Sequence, residues 1–222
     1  MLFINVIYSI TATGKAIQPV SHYPLATRVF PPILSKVMAD PTYAVVAYLP
    51  GKLGRFLDEL RQRLNPDYAS WLAHVTLLPP RALAATPEEI LARLREQCAH
   101  QEPFDVAIGG VATFWPVTGV VHLSFSKGFD QLVGLHRLFN AGRLACQEAY
   151  DYVPHVTIAQ ELDELETHLV LAEVSRRWAR FDGEACFRVE SLFLVEQTSP
   201  NQWKILAPIP FSSFFYAARR SP

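Results

Sequence analysis

A regular order of apolar and polar positions begins near residue 42 and continues to about residue 210. The run from Tyr43 to Leu49 is apolar and rich in valine, which predicts a buried strand. A proline–glycine pair breaks that run, and apolar residues then recur at helical spacing until an Asn-Pro pair ends the pattern. A second apolar run follows and is closed by Pro79 and Pro80, which predicts the next strand.

The following segment carries strong helix-start signals. Thr86 is suited to cap the amino end of a helix, Pro87 to occupy its first position and Glu89 to complete a capping box. We therefore predict that a helix starts here. Two strands, from Phe104 to Trp115 and from Gly119 to Ser126, are predicted to follow it, joined by a short turn.

The same order then repeats along the chain. After a further helix we predict a strand from about Val153 to Ala159, another helix, and strands near Cys186–Glu196 and Trp203–Pro210. The inward faces of these two helices are predicted to carry Phe129, Leu132, Leu135 and Phe139 in the first, and Leu162, Leu165, Leu169 and Ala172 in the second. Because strand–helix–strand–helix–strand occurs twice, we predict an α+β fold with a pseudo-twofold arrangement.

The first 41 residues differ from this regular part. They contain five prolines and show no sustained period. Two interpretations are open: residues 1–41 are a real extension of a single domain at 42–222, packed on its surface or loose, or the natural chain starts at Met38. We favour the second interpretation because the character of the sequence changes at Met38.

Two short motifs carry the chemistry that the sequence suggests. One begins at His74 and reads His-Val-Thr-Leu, and the other begins at His155 and reads His-Val-Thr-Ile. Side chains two apart in a strand point to the same face, so each motif presents an imidazole beside a hydroxyl, that of Thr76 or Thr157. A pseudo-twofold fold could bring the two motifs to one site.

Such a site suits the opening of a phosphodiester. A base must take a proton from the attacking group, and an acid on the opposite side must give one to the departing oxygen. Histidine has an unperturbed pKa of about 6.5 and can do either near neutral pH. The hydroxyls of Thr76 and Thr157 can donate hydrogen bonds to the phosphate oxygens. We therefore predict His74 and His155 as catalytic, without deciding which is the acid.

The composition of the chain limits the kinds of molecule that the protein is expected to bind. The net charge of −1 argues against a protein that grips long nucleic acid by neutralising phosphates, so a nucleotide target would be short or terminal. Three scattered cysteines without a C-x-x-C pair favour reduced thiols and a cytoplasmic protein. No apolar run reaches the roughly 18–20 residues of a membrane helix. We expect no membrane contact and a monomer.

Two less specific interpretations compete. A single histidine in an apolar strand is usually a paired core residue, but the repeated Thr at the same offset favours function. The second competing interpretation is metal binding. It is disfavoured because neither motif carries a further His, Asp or Cys at a recognised ligand spacing. We expect no metal and no cofactor.

The paired motifs and their strand–helix context resemble the 2H phosphoesterase superfamily over about residues 42–210, in particular its 2′-5′ RNA ligase-like and cyclic-nucleotide phosphodiesterase branch. The resemblance implies a bilobal fold with the site in a central cleft between the lobes, catalytic His74 and His155, and phosphate binding by Thr76 and Thr157. It also implies metal-independent action on RNA ends or small nucleotides with 2′,3′-cyclic or 2′-5′-linked phosphates.

Further contacts are less certain in the sequence. Some members of the superfamily carry a basic residue after the second motif, where this chain has Ala159-Gln160-Glu161, so we predict Arg81 as a replacement. Trp115 is our candidate platform for a nucleobase. The alternative to an enzyme is a non-catalytic module that binds nucleotides or RNA ends.

Overall fold

Two four-stranded antiparallel sheets form the frame of the protein. The computed structural model describes residues 41–83 and 85–212. Within them the strands are β1 (Thr42–Tyr48), β2 (His74–Ala82), β3 (Phe104–Thr113), β4 (Val121–Lys127), β5 (Val156–Ala159), β6 (Cys186–Val189), β7 (Ser191–Ser199) and β8 (Gln202–Pro210). The helices are α1 (Gly51–Leu64), α2 (Pro87–Cys98), α3 (Phe129–Phe139) and α4 (Glu164–Trp178), with short 3₁₀ turns at Pro66–Tyr68 and Gly142–Leu144.

The two sheets have equivalent layouts. One has the strand order β2-β1-β7-β8 and the other has β5-β4-β3-β6. In the first sheet, the edge strand β2 carries the first His-x-Thr motif and pairs with β1. In the second sheet, the edge strand β5 follows directly after His155 and pairs with β4. We call residues 42–98 the first half and residues 121–178 the second half. The predicted α+β fold with two pseudo-twofold-related sheets is therefore confirmed.

One continuous core holds the sheets and helices together. Buried side chains from all eight strands and all four helices pack in a single cluster, whose largest fully buried members include Tyr43, Phe139, Leu57 and Leu94. A second, smaller cluster lies on another patch of the first sheet, where Ala44, Val46 and Val195 are buried beneath aromatic side chains. That patch adjoins the first His-x-Thr motif.

The first two predicted helices form as expected. In α1, Leu53, Leu57 and Leu60 are buried, and the helix ends at Leu64. At the start of α2 the side chain of Thr86 accepts a hydrogen bond from the Glu89 backbone N–H, and the Glu89 carboxylate accepts one from the Thr86 N–H. The capping box predicted from the sequence is confirmed.

The predicted inward face of α3 is correct except at Phe129, and that of α4 is wrong at Leu165 and Leu169. Phe129 at the start of α3 is 41% exposed, although Leu132, Leu135 and Phe139 are buried. In α4 the exposed residues include Leu165 and Leu169, whereas the buried ones are Thr167 and Val174. The face of α4 that packs inward carries Val170, Leu171, Val174 and Trp178, and the Trp178 indole N–H donates to the Gly109 carbonyl oxygen.

Strand boundaries also differ from the prediction. Strand β2 continues through Pro79 and Pro80 to Ala82, which an edge strand tolerates because one side of it makes no ladder hydrogen bonds. The strand predicted near 186–196 is two strands, β6 and β7, which belong to different sheets. β5 is shorter than predicted and begins just after His155.

Two further expectations concern the amino-terminal extension and membrane-spanning helices. The extension at residues 1–41 falls almost entirely outside the described residues. Among the helices of residues 41–83 and 85–212, none is long and apolar enough to cross a membrane.

Candidate functional site

The two edge strands β2 and β5 bring the motifs together. They belong to different sheets, yet they contact one another. The central expectation, that the motifs share one region of the surface, agrees with this placement.

Both histidines are held in the same way. His74 Nδ1 lies 2.7 Å from the Leu72 carbonyl oxygen, and His155 Nδ1 lies 2.7 Å from the Val153 carbonyl oxygen. Since a carbonyl oxygen only accepts hydrogen bonds, Nδ1 carries the proton in each ring. The Nε2 atom of each neutral imidazole is therefore left with its lone pair, ready to accept a proton.

His74 lies among aromatic rings and near a buried cation. Its ring centroid is 4.8 Å from that of Trp71 and 6.2 Å from that of Tyr48. Burial lowers the pKa of His74 to about 4, and the positive charge of Arg61 acts in the same direction. At neutral pH this imidazole is uncharged, as a general base must be.

Arg61 is a site residue that the sequence analysis missed. Its guanidinium is buried and donates hydrogen bonds to the carbonyl oxygens of Trp71 and Tyr68, with the Asp58 carboxylate 4.0 Å away. These bonds fix the segment that leads into β2. The signal was present in the sequence, since Arg61 occupies the apolar stripe of α1, four residues after Leu57.

His155 has different neighbours. Its ring packs in a T-shaped arrangement against two others. The centroid distance is 4.9 Å to the Phe114 ring and 5.2 Å to the His122 ring. Burial lowers the pKa of His155 below its usual value of 6.5. The second motif therefore has another imidazole beside its histidine, whereas the first motif has a guanidinium nearby.

His122 is the second residue that the sequence analysis did not assign to the site. It is 4% exposed, lies opposite Thr157 in the pairing of β4 with β5, and stacks on Phe114 at 4.1 Å. Burial lowers the pKa of His122 to about 4, and its Nδ1 has no hydrogen-bond partner among the described residues. The equivalent position in the first half, opposite Thr76, is Val46. Nothing in the sequence distinguished His122 from an ordinary core histidine.

Two cavities meet at the motifs. The polar cavity, of about 320 Å³, is lined by His74, Thr76 and Thr157, with Arg61 and several amide side chains around them. The apolar cavity, of about 710 Å³, is lined by Thr76 and His155 among others. Thr76 and Pro80 border both cavities, so the two cavities adjoin at β2.

Hydrogen bonds join the two halves at this region. The Tyr152 hydroxyl donates to the Thr76 carbonyl oxygen at 2.7 Å. Asn65 and Gln160 exchange two bonds, in which the Asn65 amide donates to the Gln160 carbonyl oxygen and accepts from the Gln160 N–H. These bonds hold β2 in place relative to the segments on either side of β5.

The structure gives Arg81 internal partners. Its guanidinium pairs with the Glu148 carboxylate and donates to Asn140 Oδ1 at 2.7 Å and to the carbonyl oxygens of Leu144 and Pro79. Although Arg81 lines the apolar cavity, it is buried and its charge is balanced. It holds the loop before β5 against β2, and its predicted contact with substrate stays a prediction that these pairings weaken.

Trp115 as a nucleobase platform stays a prediction. Trp115 is not among the residues that line the two cavities, whereas its neighbour Phe114 lines the apolar cavity and touches His155. On the other side, Trp71 and Trp203 line the polar cavity. Within the described part of the chain, no group of three or more His, Cys, Asp or Glu residues is placed to hold a metal ion.

Comparison with known proteins agrees with this fold. The sequence matches the 2′-5′ RNA ligase superfamily over residues 49–201, a range that includes both motifs. The chain therefore belongs to the 2′-5′ RNA ligase superfamily, a family of 2H phosphoesterases.

Relatives by sequence are provisionally named phosphoesterases. One from Bacillus pumilus is 29% identical over 73% of this chain and 93% of its own length. Another from Bacillus cytotoxicus is 35% identical over 66% of this chain and 83% of its own. Among solved structures, Escherichia coli LigT in its apo form superimposes with a TM-score of 0.55 at 17% identity, covering 79% of this chain and all of that one. LigT complexed with 3′-AMP gives a TM-score of 0.54 at 16% identity, covering 78% of this chain and all of that one.

Proposed function

We propose that this protein is a metal-independent phosphodiesterase that opens 2′,3′-cyclic phosphates, or cleaves and joins 2′-5′ linkages, on RNA ends or small nucleotides. One observation carries the proposal. Two imidazoles from distant parts of the chain have the same fixed Nδ1–H and the same free Nε2, and they border cavities that share Thr76. The complex of LigT with 3′-AMP supports a nucleotide as the substrate class.

In this mechanism one Nε2 takes a proton from the attacking hydroxyl or water, and the other gives a proton to the departing oxygen. Each such group contributes roughly 10²- to 10⁴-fold in rate. Ligation is the same path in reverse, with the two roles exchanged. A single site therefore accounts for both hydrolysis and joining.

The hydroxyls of Thr76 and Thr157 donate hydrogen bonds to the non-bridging phosphate oxygens in this proposal. Both are half-buried and both line the polar cavity. Hydrogen bonds to a charged group in a partly dehydrated cavity are stronger than those made in water. No metal is needed, because two imidazoles and two hydroxyls together supply the proton transfers and the charge stabilisation.

Substrate binding also favours protonation of the imidazole that acts as the acid, with the proton taken up from solvent. Burial lowers the pKa values of His74 and His155, so both rings are largely neutral in the free protein at pH 7. A bound phosphate anion favours the charged form of a neighbouring imidazole and raises its pKa. The acid is thus formed where the substrate is present.

The test is turnover of adenosine 2′,3′-cyclic phosphate by His74→Ala and His155→Ala. We expect each variant to lose at least about 10³-fold in kcat while keeping the far-UV circular dichroism of the parent. His168→Ala, at an exposed position on α4, is the matched control and should keep full activity.

Activity should survive EDTA in the same assay. Normal turnover by either motif variant would reject the proposed mechanism, and loss of activity on chelation would require a metal. Tight binding of the nucleotide with no turnover by the parent protein would instead identify a binding module.

A further inference from the structure

Two carbonyl oxygens of the edge strand β2 accept hydrogen bonds from side chains of the second half. The Tyr152 hydroxyl donates to the Thr76 carbonyl oxygen at 2.7 Å, and His136 Nδ1 donates to the Leu77 carbonyl oxygen at 3.0 Å. Thr76 and Leu77 are consecutive residues of the strand that carries the first motif. The two bonds therefore hold the second half against β2 at the first motif itself.

The two donor rings also support one another. The rings of His136 and Tyr152 are nearly parallel, with 9° between their planes and 3.9 Å between their centroids. His136 lies on α3 and is 6% exposed, whereas Tyr152 lies in the irregular segment before β5. Burial raises the pKa of Tyr152, so its hydroxyl keeps its proton and remains a donor at neutral pH. The stack thus places Tyr152 by means of a helix whose inner face belongs to the core.

A carboxylate extends this arrangement to a third residue of β2. Glu148 pairs with Arg81 through one oxygen, and its other oxygen lies 3.4 Å from His136 Nε2. The Arg81 guanidinium also donates to the Leu144 carbonyl oxygen at 3.1 Å. Residues 144–152 are therefore fastened to β2 and α3 at three points spaced four residues apart: Leu144, Glu148 and Tyr152.

The segment that is held in this way leads directly to His155. The pairing of β5 with β4 begins only at Val156, one residue beyond His155. Tyr152 is followed by Val153, whose carbonyl oxygen lies 2.7 Å from His155 Nδ1. One path of two hydrogen bonds therefore runs from the Thr76 carbonyl oxygen through Tyr152 and the next peptide unit to the imidazole of the second motif.

We propose that Tyr152 is a positioning residue that sets the separation between the two His-x-Thr motifs, and that His136 and Glu148 hold it in place. The inference rests on the proposed function, because it concerns the place of His155 in that reaction. Tyr152 acts through His155 and Thr76, since its hydroxyl is bonded to the Thr76 carbonyl oxygen. A displacement of about 1 Å that originates away from the reacting atoms can cost up to about 10²-fold in rate.

The first test removes only the hydroxyl. In Tyr152→Phe we expect kcat for adenosine 2′,3′-cyclic phosphate to fall roughly 10-fold, with KM within about twofold of the parent, because a misplaced His155 slows the chemical step. Loss of a direct contact with bound nucleotide would raise KM instead. Tyr43→Phe is the matched control, because it removes a hydroxyl from β1 outside both cavity linings and should keep full activity.

The second test reaches the same position from behind. His136→Phe keeps a ring for the stack but has no donor for the Leu77 carbonyl oxygen, and His136 is not among the residues that line the two cavities. We expect kcat to fall in this variant too. The double variant should lose much less than the product of the two single losses, because both changes disturb one arrangement. Losses that multiply in full would contradict a shared positioning role.

The place of His155 can also be measured without turnover. Burial lowers the pKa of His155, so a ring that moves toward solvent titrates closer to 6.5. In an NMR titration, with the resonance of His155 identified by its loss in His155→Ala, we expect the midpoint to move upward in Tyr152→Phe and to stay in place in Tyr43→Phe. Tyr152→Phe changes no charge at neutral pH, and His122, which contacts the His155 ring, is present in every protein compared.

The two measurements separate this inference from the proposed function. An unchanged titration of His155 in both Tyr152→Phe and His136→Phe, or an unchanged kcat in both, would overturn the positioning role and leave the phosphodiesterase intact. A shifted titration in a parent protein that turns over no cyclic phosphate would uphold the placement of His155 by Tyr152 and reject the phosphodiesterase.

Discussion

The two His-x-Thr motifs are alike in their backbone and unlike in their surroundings. His74 and His155 make the same hydrogen bond to a carbonyl oxygen two residues earlier. Around them, however, Trp71 and the buried Arg61 lie near His74, whereas Phe114 and His122 lie beside His155. The short motif thus sets the tautomer, and residues distant in the chain set the electrostatics.

That difference explains how one motif can serve two roles. A nearby guanidinium disfavours a second positive charge, so His74 is suited to stay neutral and accept a proton. His122 is itself neutral at pH 7 because burial lowers its pKa to about 4, so it places no such charge beside His155. In the proposed mechanism, this difference favours His74 as the base and His155 as the acid.

The largest expected effect separates these roles directly. In a cyclic substrate whose departing oxygen is replaced by sulfur, the leaving group needs little or no protonation. We expect His155→Ala to recover roughly 100-fold of its lost rate with this substrate, because only its acid function is bypassed. His74→Ala should recover little. Recovery by His74→Ala alone would reverse the assignment of acid and base.

A smaller effect is expected at the two hydroxyls. Thr76 lines both cavities, whereas Thr157 lines the polar one. We expect Thr76→Val and Thr157→Val each to lower kcat roughly 10- to 100-fold through loss of a hydrogen bond to a charged oxygen, with the larger loss for Thr76. Thr42→Val, at the start of β1 and outside both linings, serves as the control. Unchanged kcat in both motif variants would remove the hydroxyls from the mechanism.

The smallest effect concerns stability rather than rate. The folded protein holds the pKa of His122 near 4, below its ordinary value of 6.5, so the unfolded chain binds a proton more readily between these pH values. The free energy of unfolding is therefore unaffected by this histidine above pH 6.5. It decreases as the pH falls from 6.5 toward 4, because His122 takes up a proton more readily in the unfolded chain. His122→Val, which copies Val46 of the first half, should remove that loss.

Urea unfolding of the parent and of His122→Val at pH 7.5 and pH 5 measures this contribution. We expect the parent to lose about 2 kcal/mol more than the variant between the two pH values, since each unit of pKa difference is worth about 1.4 kcal/mol. The pH dependence of His74 is common to both proteins and cancels, whereas that of His155 is part of the measured difference because its ring contacts His122. Equal losses would show that His122 does not titrate differently on folding.

The sequence was informative wherever a local rule decides the outcome. The capping box at Thr86 and the His-x-Thr offsets depend on neighbouring residues only, and their local geometry was predictable. It failed where distant packing decides. α4 carries apolar residues on more than one face, and the face with Val174 and Trp178 is the one that packs against the core. His122 likewise gains its place only through the pairing of β4 with β5.

The strand order has a consequence for how the protein is made. β1, the first described strand to leave the ribosome, pairs with β2 and also with β7, which is translated near the end. Until β7 has emerged, the first sheet lacks two of its four strands. A nascent chain can assemble local helices early, but the full sheet that carries His74 is completed only when synthesis is nearly finished.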